Sequence, residues 1–157
     1  MATEQVPDRA GVVAFPPLLF VGMFAVAMLL RFLFPTPVLP TLTAIGIGLV
    51  VMLVGLPVLL LAFRQMIRNK TTINPRGATT RIVSDGLYAY TRNPMYLALT
   101  LLYTGGCIMV NAWWGLLLLI PLLIMVQKGI IEREELYLTR KFGDEYLRYK
   151  GRVRQWL

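Results

Sequence analysis

Four apolar runs separated by polar punctuation set the pattern of this chain, at about residues 15–34, 42–63, 94–110 and 116–130. A helix crossing the hydrocarbon core of a bilayer needs about 20 consecutive apolar residues, so the first two runs predict full spans and the third is at the short end. Pro16 and Pro17 open the first run, where a helix tolerates residues without an N–H, and Arg31 lies near its far end, from which it can snorkel outward. Pro35, Pro37 and Pro40 cannot continue a helix and predict a short turn. In the second run, Gly46, Gly48 and Gly55 let a neighbouring helix approach closely, and Pro57 predicts a kink. Asn111-Ala-Trp-Trp-Gly115 is a tight turn with two interfacial tryptophans, which makes the last two runs an antiparallel hairpin. A bend at Pro121 would open a lateral gap toward lipid.

Between the second and third runs lies the longest polar segment, residues 64–92. A connection of that length is usually functional or unstructured. Ile73, Ile82, Val83 and Leu87 argue for a segment that folds back on the mouth of the bundle. Residues 131–157 read as helix broken or bent near Gly143, with Leu138, Phe142, Tyr146 and Tyr149 spaced to share a face. Arg148, Lys150, Arg152, Arg154 and Trp156 give that segment a basic, aromatic end suited to a membrane interface. Residues 1–11 are polar and expected to be mobile. They lack the basic start and small-residue cleavage site of a signal peptide, so the first span is expected to stay.

Composition agrees with the pattern: 57% of the 157 residues are hydrophobic and 15% charged, a balance no ordinary soluble domain shows. The expected fold is an all-α integral membrane protein of about four transmembrane helices, the last two a hairpin, with a helical C-terminal segment. Residues 1–63 form an N-terminal part and residues 64–157 a part that carries the chemistry. The net charge of +8 changes meaning once it is located. Six of the sixteen basic residues fall between Arg64 and Arg92 and eight between Lys128 and Arg154, while the two loops at the other end have none. This positive-inside distribution puts both termini in the cytosol and points to anionic lipid, not nucleic acid, as the electrostatic partner. The economical build suggests a prokaryotic inner membrane. The pattern sets no oligomeric state.

Histidine is absent and Cys107 is the sole cysteine, lying within an apolar run, so no metal site and no disulfide framework are expected. The candidate chemistry gathers at two places. One is Gly86-Leu-Tyr-Ala-Tyr-Thr-Arg-Asn-Pro-Met-Tyr96, where Asn93 and Pro94 read as the N-cap and first-turn proline of the third span, with Arg92 beside it and Tyr88, Tyr90 and Tyr96 near. A helix start with an arginine and phenols is a seat for a carboxylate-bearing small molecule. The other is Glu132-Arg-Glu-Glu135, at the exit of the fourth span. The hairpin brings the two together. Carboxylates so close to an apolar helix end are costly unless paired or used; pairing suits Glu132, and Glu134 and Glu135 suit either role.

The order Ser84-Asp-Gly-Leu-Tyr-Ala-Tyr-Thr-Arg-Asn-Pro-Met-Tyr-Leu97, then Glu134-Glu135, then Phe142-Gly-Asp-Glu-Tyr-Leu-Arg-Tyr149 and Val153 resembles the isoprenylcysteine carboxyl methyltransferase family and its phospholipid N-methyltransferase relatives. The likeness covers about residues 71–157, and the first two spans match only as hydrophobic segments. It implies S-adenosylmethionine held by the hairpin and C-terminal segment, with a lipophilic or prenylated acceptor entering from the bilayer. Carried over by position, Arg92, Pro94 and Tyr96 belong to the family's Arg-His-Pro-x-Tyr motif, Glu134 and Glu135 to its paired glutamates, and Tyr146 and Arg148 to its tail pattern. Asn93 stands where the eukaryotic enzymes have His.

The resemblance thus assigns catalytic roles to Arg92, Asn93 and Glu135, and cofactor contacts to Tyr88, Arg92, Asn93, Pro94, Tyr96, Leu97, Glu134, Glu135 and Tyr146. In that scheme Arg92 meets the cofactor's carboxylate and a glutamate its ribose or ammonium. Leu97, Leu138 or Tyr146 would wall the adenine. Methyl transfer from a sulfonium demands alignment above all, and a carboxylate acceptor is already ionised at pH 7, so the missing histidine favours a prenylcysteine-like carboxylate. A phospholipid amine or a thiol is the alternative acceptor, and a non-enzymatic assembly protein the alternative class. A membrane reductase is a further reading, and the chain has no Gly-x-Gly-x-x-Gly after a strand. The ending Arg-Gln-Trp-Leu is not a prenylation motif, so the chain is expected to act on lipidated acceptors and not to be one.

Overall fold

The computed structural model describes residues 10–71 and 79–157, and among these the regular elements are helical, with one isolated parallel bridge between Thr91 and Arg154. In chain order they are α1 (Pro16–Leu33), α2 (Thr41–Arg68), a 3-10 turn (Gly86–Ala89), α3 (Pro94–Met109), α4 (Trp113–Val126), a π turn (Gln127–Ile131), α5 (Glu132–Phe142) and α6 (Asp144–Arg152). Three helices are long and apolar enough to cross a membrane: α1, α2 and the continuous run Trp113–Phe142, while α3 has 16 residues. Leu18, Leu29, Phe32, Val50, Leu53, Leu60, Leu117 and Ile120 are exposed around them, the belt that a lipid-facing surface presents. Among the sequence expectations, those for Ile73 and most of residues 1–11 fall outside the described residues.

The run through α4, the π turn and α5 has 30 residues, about 45 Å at 1.5 Å per residue, against about 30 Å of hydrocarbon. All its charges come from Lys128 onward, so the first part alone has the composition of a span and α5 lies outside that apolar stretch. The wider π turn also lets Ile130 and Ile131, neighbours in sequence, both be fully buried.

Helix packing differs from the expected hairpin in one respect. The turn at residues 110–112 does reverse the chain, but α3 packs chiefly along α2, and α4 chiefly along α1. Glycine explains the choice: a Cβ on Gly48 would lie 2.5 Å from the Gly105 carbonyl oxygen, so the two backbones are in near contact there. Gly55 extends the seam to Leu101, while Gly46 faces open space. Both α2 and α4 run unbroken through their internal prolines, Pro57 and Pro121. The helix α2 also continues past Phe63 to Arg68, so the first residues of the polar segment are helix and not loop. At the far end Asn111 ties the two loops together, accepting from the Leu39 N–H at 3.2 Å and donating to the Leu39 carbonyl at 3.0 Å.

Candidate functional site

The charged end of the bundle is built around one cavity, with an envelope of about 1140 Å³ counting its open mouth. Each wall has a local cause. The extension of α2 carries Gln65, whose Oε1 accepts from the Leu87 N–H at 3.2 Å and fixes the 3-10 turn beneath the cavity. Gly86 begins that turn at φ +56° with Gln65 packed where a Cβ would be, so glycine is required there. Val83 and Tyr88 are buried against Ala62 in a small apolar cluster that anchors the segment before α3. Gly143, at φ +52°, separates α5 from α6 and folds α6 back so that Tyr146 and Tyr149 are buried. Of the face expected from the spacing, Leu138, Tyr146 and Tyr149 line the cavity across this break, and Phe142 does not.

Of the residues singled out by resemblance, Tyr88, Arg92, Asn93, Pro94, Tyr96, Glu134, Glu135 and Tyr146 all line this cavity. Leu97 does not line it; Leu99 and Leu138 supply apolar wall instead. The meeting of the two glutamates with the start of α3 is realised through Tyr96, whose hydroxyl lies 2.9 Å from both Glu134 oxygens, and through Arg92, paired with Glu135 at 2.7 Å. Glu132 lies outside, hydrogen-bonded by Gln127 at 3.4 Å.

Two roles are reassigned by this geometry. Asn93 does not cap α3 through its side chain. Its amide donates to the Gln155 carbonyl at 2.9 Å, and the Thr91 hydroxyl reaches the same carbonyl at 3.2 Å. Arg92 is not waiting for a carboxylate. Its Nε and Nη2 donate to Glu135 Oε1 at 3.2 and 2.7 Å, and its Nη1 donates to the carbonyls of Val153 and Lys150 at 2.6 and 3.1 Å. A guanidinium has five N–H groups, so these four bonds leave it nearly spent. Lys150 takes the other Glu135 oxygen at 2.7 Å. Together with the Arg92 N–H to the Arg154 carbonyl at 2.9 Å, these bonds pin the end of α6 and the residues after it onto the start of α3. Sequence spacing could not show this, because half of the partners are backbone carbonyls.

Glu134 stands differently. Tyr96 is its hydrogen-bond donor, and burial pushes its carboxyl up to about 7, the Tyr96 hydrogen bond pulling the other way. Burial likewise raises the phenols of Tyr88, Tyr146 and Tyr149 well above their ordinary value, so they stay neutral. The Tyr149 hydroxyl donates to the Tyr88 carbonyl at 2.7 Å. The polar side thus offers one carboxylate amid aromatic faces, a setting that suits an organic cation.

The opposite side is apolar, from Phe15, Pro16 and Pro17 at the start of α1, Phe63 and Met66 on α2, and Leu99 on α3. The contribution of α1 was not foreseen. Residues 11–13 are held by their main-chain groups, the Val13 N–H donating to the Gly129 carbonyl at 3.2 Å and the Gly11 carbonyl accepting from the Arg133 side chain at 2.9 Å, and main-chain groups leave no mark in side-chain pattern. Thr71 and Arg81 also line the cavity.

Comparison with known proteins agrees with this reading of the chain. The pattern of the phospholipid methyltransferase family matches residues 43–145. A Haemophilus influenzae protein described as uncharacterized is 44% identical over 66 residues, which is 40% of this chain and the whole of that protein. The protein-S-isoprenylcysteine O-methyltransferase of Schizosaccharomyces pombe is 33% identical over 72 residues, 46% of this chain but 30% of its own length. No solved structure matches. With the match running from the second helix into α6 and enclosing most of the cavity wall, the chain is a membrane methyltransferase that belongs to the phospholipid methyltransferase family.

Proposed function

We propose that the protein transfers a methyl group from S-adenosylmethionine to a lipophilic acceptor, the carboxylate of a prenylcysteine-like molecule, with a phospholipid amine or a thiol as the alternative acceptor. The observation that carries the reading is the two-sided cavity: a carboxylate with phenols on one side, and an apolar wall from α1, α2 and α3 on the other. In this reading α3 completes a four-span bundle with the charged end and both termini in the cytosol of a prokaryotic cell. The basic surface of Lys128, Arg148, Arg152 and Arg154 then rests on anionic lipid.

The residues present suit such a donor. Its sulfonium and ammonium would be met by Glu134 and by the faces of Tyr88, Tyr96, Tyr146 and Tyr149, and its adenine by Leu138 and the neighbouring apolar wall. When bound, S-adenosylmethionine supplies an activated methyl group on sulfur. The chain's task is then alignment: Tyr96 orients Glu134, Arg92 and Lys150 hold Glu135, and the apolar wall receives the lipid part of the acceptor while excluding water. Such a displacement onto an ionised carboxylate requires no histidine base. Asn93 and Arg92 act here as positioning residues.

The test is calorimetry with S-adenosylhomocysteine on the purified protein in detergent and in lipid, comparing wild type with Glu134→Gln. Saturable binding by wild type that the substitution weakens while thermal stability is kept supports the site. Absence of binding by folded wild-type protein in both media would sink the methyltransferase reading of this cavity and favour a purely structural role for its charges.

A further inference from the structure

Two polar groups on the cavity wall have hydrogen-bonding capacity to spare among the described residues, one buried, Thr71, and one exposed, Arg81. Thr71 is 8% exposed and lines the cavity, and its Oγ1 is buried without a hydrogen bond. A buried hydroxyl without a partner is unfavourable, because no bond offsets its lost hydration. Arg81 lines the same cavity and makes no hydrogen bond or ion pair among the described residues. Arg81 and Arg92 are the cationic side chains among the described lining residues, and Arg92 is spent on Glu135 and two carbonyls. The two groups also belong together. The Thr80 hydroxyl donates to the Lys70 carbonyl at 2.9 Å, which joins the chain just before Thr71 to the chain just before Arg81.

We propose that Thr71 and Arg81 form an oxyanion subsite, in which the hydroxyl donates one hydrogen bond and the guanidinium supplies charge and a planar fork to a carboxylate or phosphate of the bound ligand. This rests on the methyltransferase reading and gives it the anion-binding group that Arg92 cannot be. The oxyanion belongs either to the amino-acid end of the methyl donor or to the head of the acceptor.

The test uses full-length protein in lipid nanodiscs, as wild type, Thr71→Val and Arg81→Gln, titrated with S-adenosylhomocysteine and with 5′-methylthioadenosine, which lacks the amino-acid end. A donor oxyanion gives at least about tenfold weaker S-adenosylhomocysteine binding in both variants, the size of a lost hydrogen bond to a charged group, with methylthioadenosine unchanged. An acceptor oxyanion leaves both nucleosides unchanged and weakens N-acetyl-S-farnesylcysteine or phosphatidylethanolamine instead. Arg81→Lys recovers part of the loss in either case. Thr71→Val keeps or gains thermal stability, because its hydroxyl has no partner to lose, and that separates a ligand role from damage to the fold. Unaltered binding of all four probes overturns the subsite while leaving the methyltransferase reading in place. Folded wild-type protein that binds neither nucleoside overturns that reading and the subsite with it.

Discussion

Glu134 and Glu135 are adjacent in sequence and line one cavity, yet they live opposite lives. Glu135 has both oxygens taken by cations, Arg92 and Lys150, and through Arg92 it is tied to the carbonyls that end α6. Glu134 holds the hydroxyl of Tyr96. Neighbours on a helix point about 100° apart, so one faces the C-terminal segment and the other faces Tyr96. The difference teaches that a paired-glutamate motif is here two devices: a clamp that closes the chain on itself, and a carboxyl held by one phenol, which the proposed function gives to the ligand. A charged residue in a cavity is not thereby a ligand contact. Its remaining hydrogen-bonding capacity decides.

Breaking the clamp should have the largest effect. Arg92→Ala removes the partner of a largely buried carboxylate and frees two carbonyls, and loss of one member of such a pair costs about 3–5 kcal/mol. The expected outcome is a marked fall in thermal stability, with S-adenosylhomocysteine binding lost along with the fold of the C-terminal segment. Protease cleavage in residues 143–157, followed by mass spectrometry, reads that release directly. If Arg92→Ala instead kept its stability and lost binding alone, Arg92 would be a ligand contact after all, and the contrast between the two glutamates would fail.

The second effect is on Glu134 and carries a pH signature. Its carboxyl is pushed up to about 7, so in wild type the anion that the ligand's ammonium group needs forms only as pH rises through that value. Affinity for S-adenosylhomocysteine should therefore climb from about pH 6 to about pH 8, roughly one unit either side of that value. Glu134→Gln should flatten the profile and weaken binding by roughly 10- to 100-fold at the alkaline end, the worth of a hydrogen bond to a charged group. Stability moves the other way. The folded state holds this proton more tightly than the unfolded chain, whose carboxyl has the ordinary value of 4.5, so its contribution falls as pH rises from there to about 7. Glu134→Gln should remove that pH-dependent loss.

Much of this architecture was legible from run lengths and from where charges fall. The run at residues 15–34 holds α1 and the run at 42–63 lies within α2, and Arg92, Tyr96, Glu134 and Glu135 meet because a short turn at Asn111 returns the chain to the charged end. The division of labour was not legible. Arg92 and Asn93 are held by carbonyls of residues 150–155, and a carbonyl is the same in every residue. Which of α1 and α2 would seat α3 turned on Gly48 meeting Gly105, one of several glycines that looked equivalent in sequence. Thr71 and Arg81 carried no signal at all, since a threonine and an arginine in a polar loop are ordinary until a cavity is found beside them.

Lys150 offers the finest test of the contrast. It reaches Glu135 Oε2 at 2.7 Å, but its side chain is 42% exposed, so water and salt screen the attraction and an ordered side chain loses rotamer freedom to make it. Lys150→Gln should cost at most about 1 kcal/mol, an effect that fades in high salt, because Arg92 still holds the other oxygen of Glu135. Binding of S-adenosylhomocysteine should stay within about twofold of wild type, a change below 0.5 kcal/mol. A double-mutant cycle with Glu135→Gln in detergent-solubilised protein measures the coupling. A coupling as large as that of the Arg92 pair would mean that the clamp is one three-membered unit. A small one would mean that Arg92 alone closes it and that Lys150 rests on an oxygen already held in place.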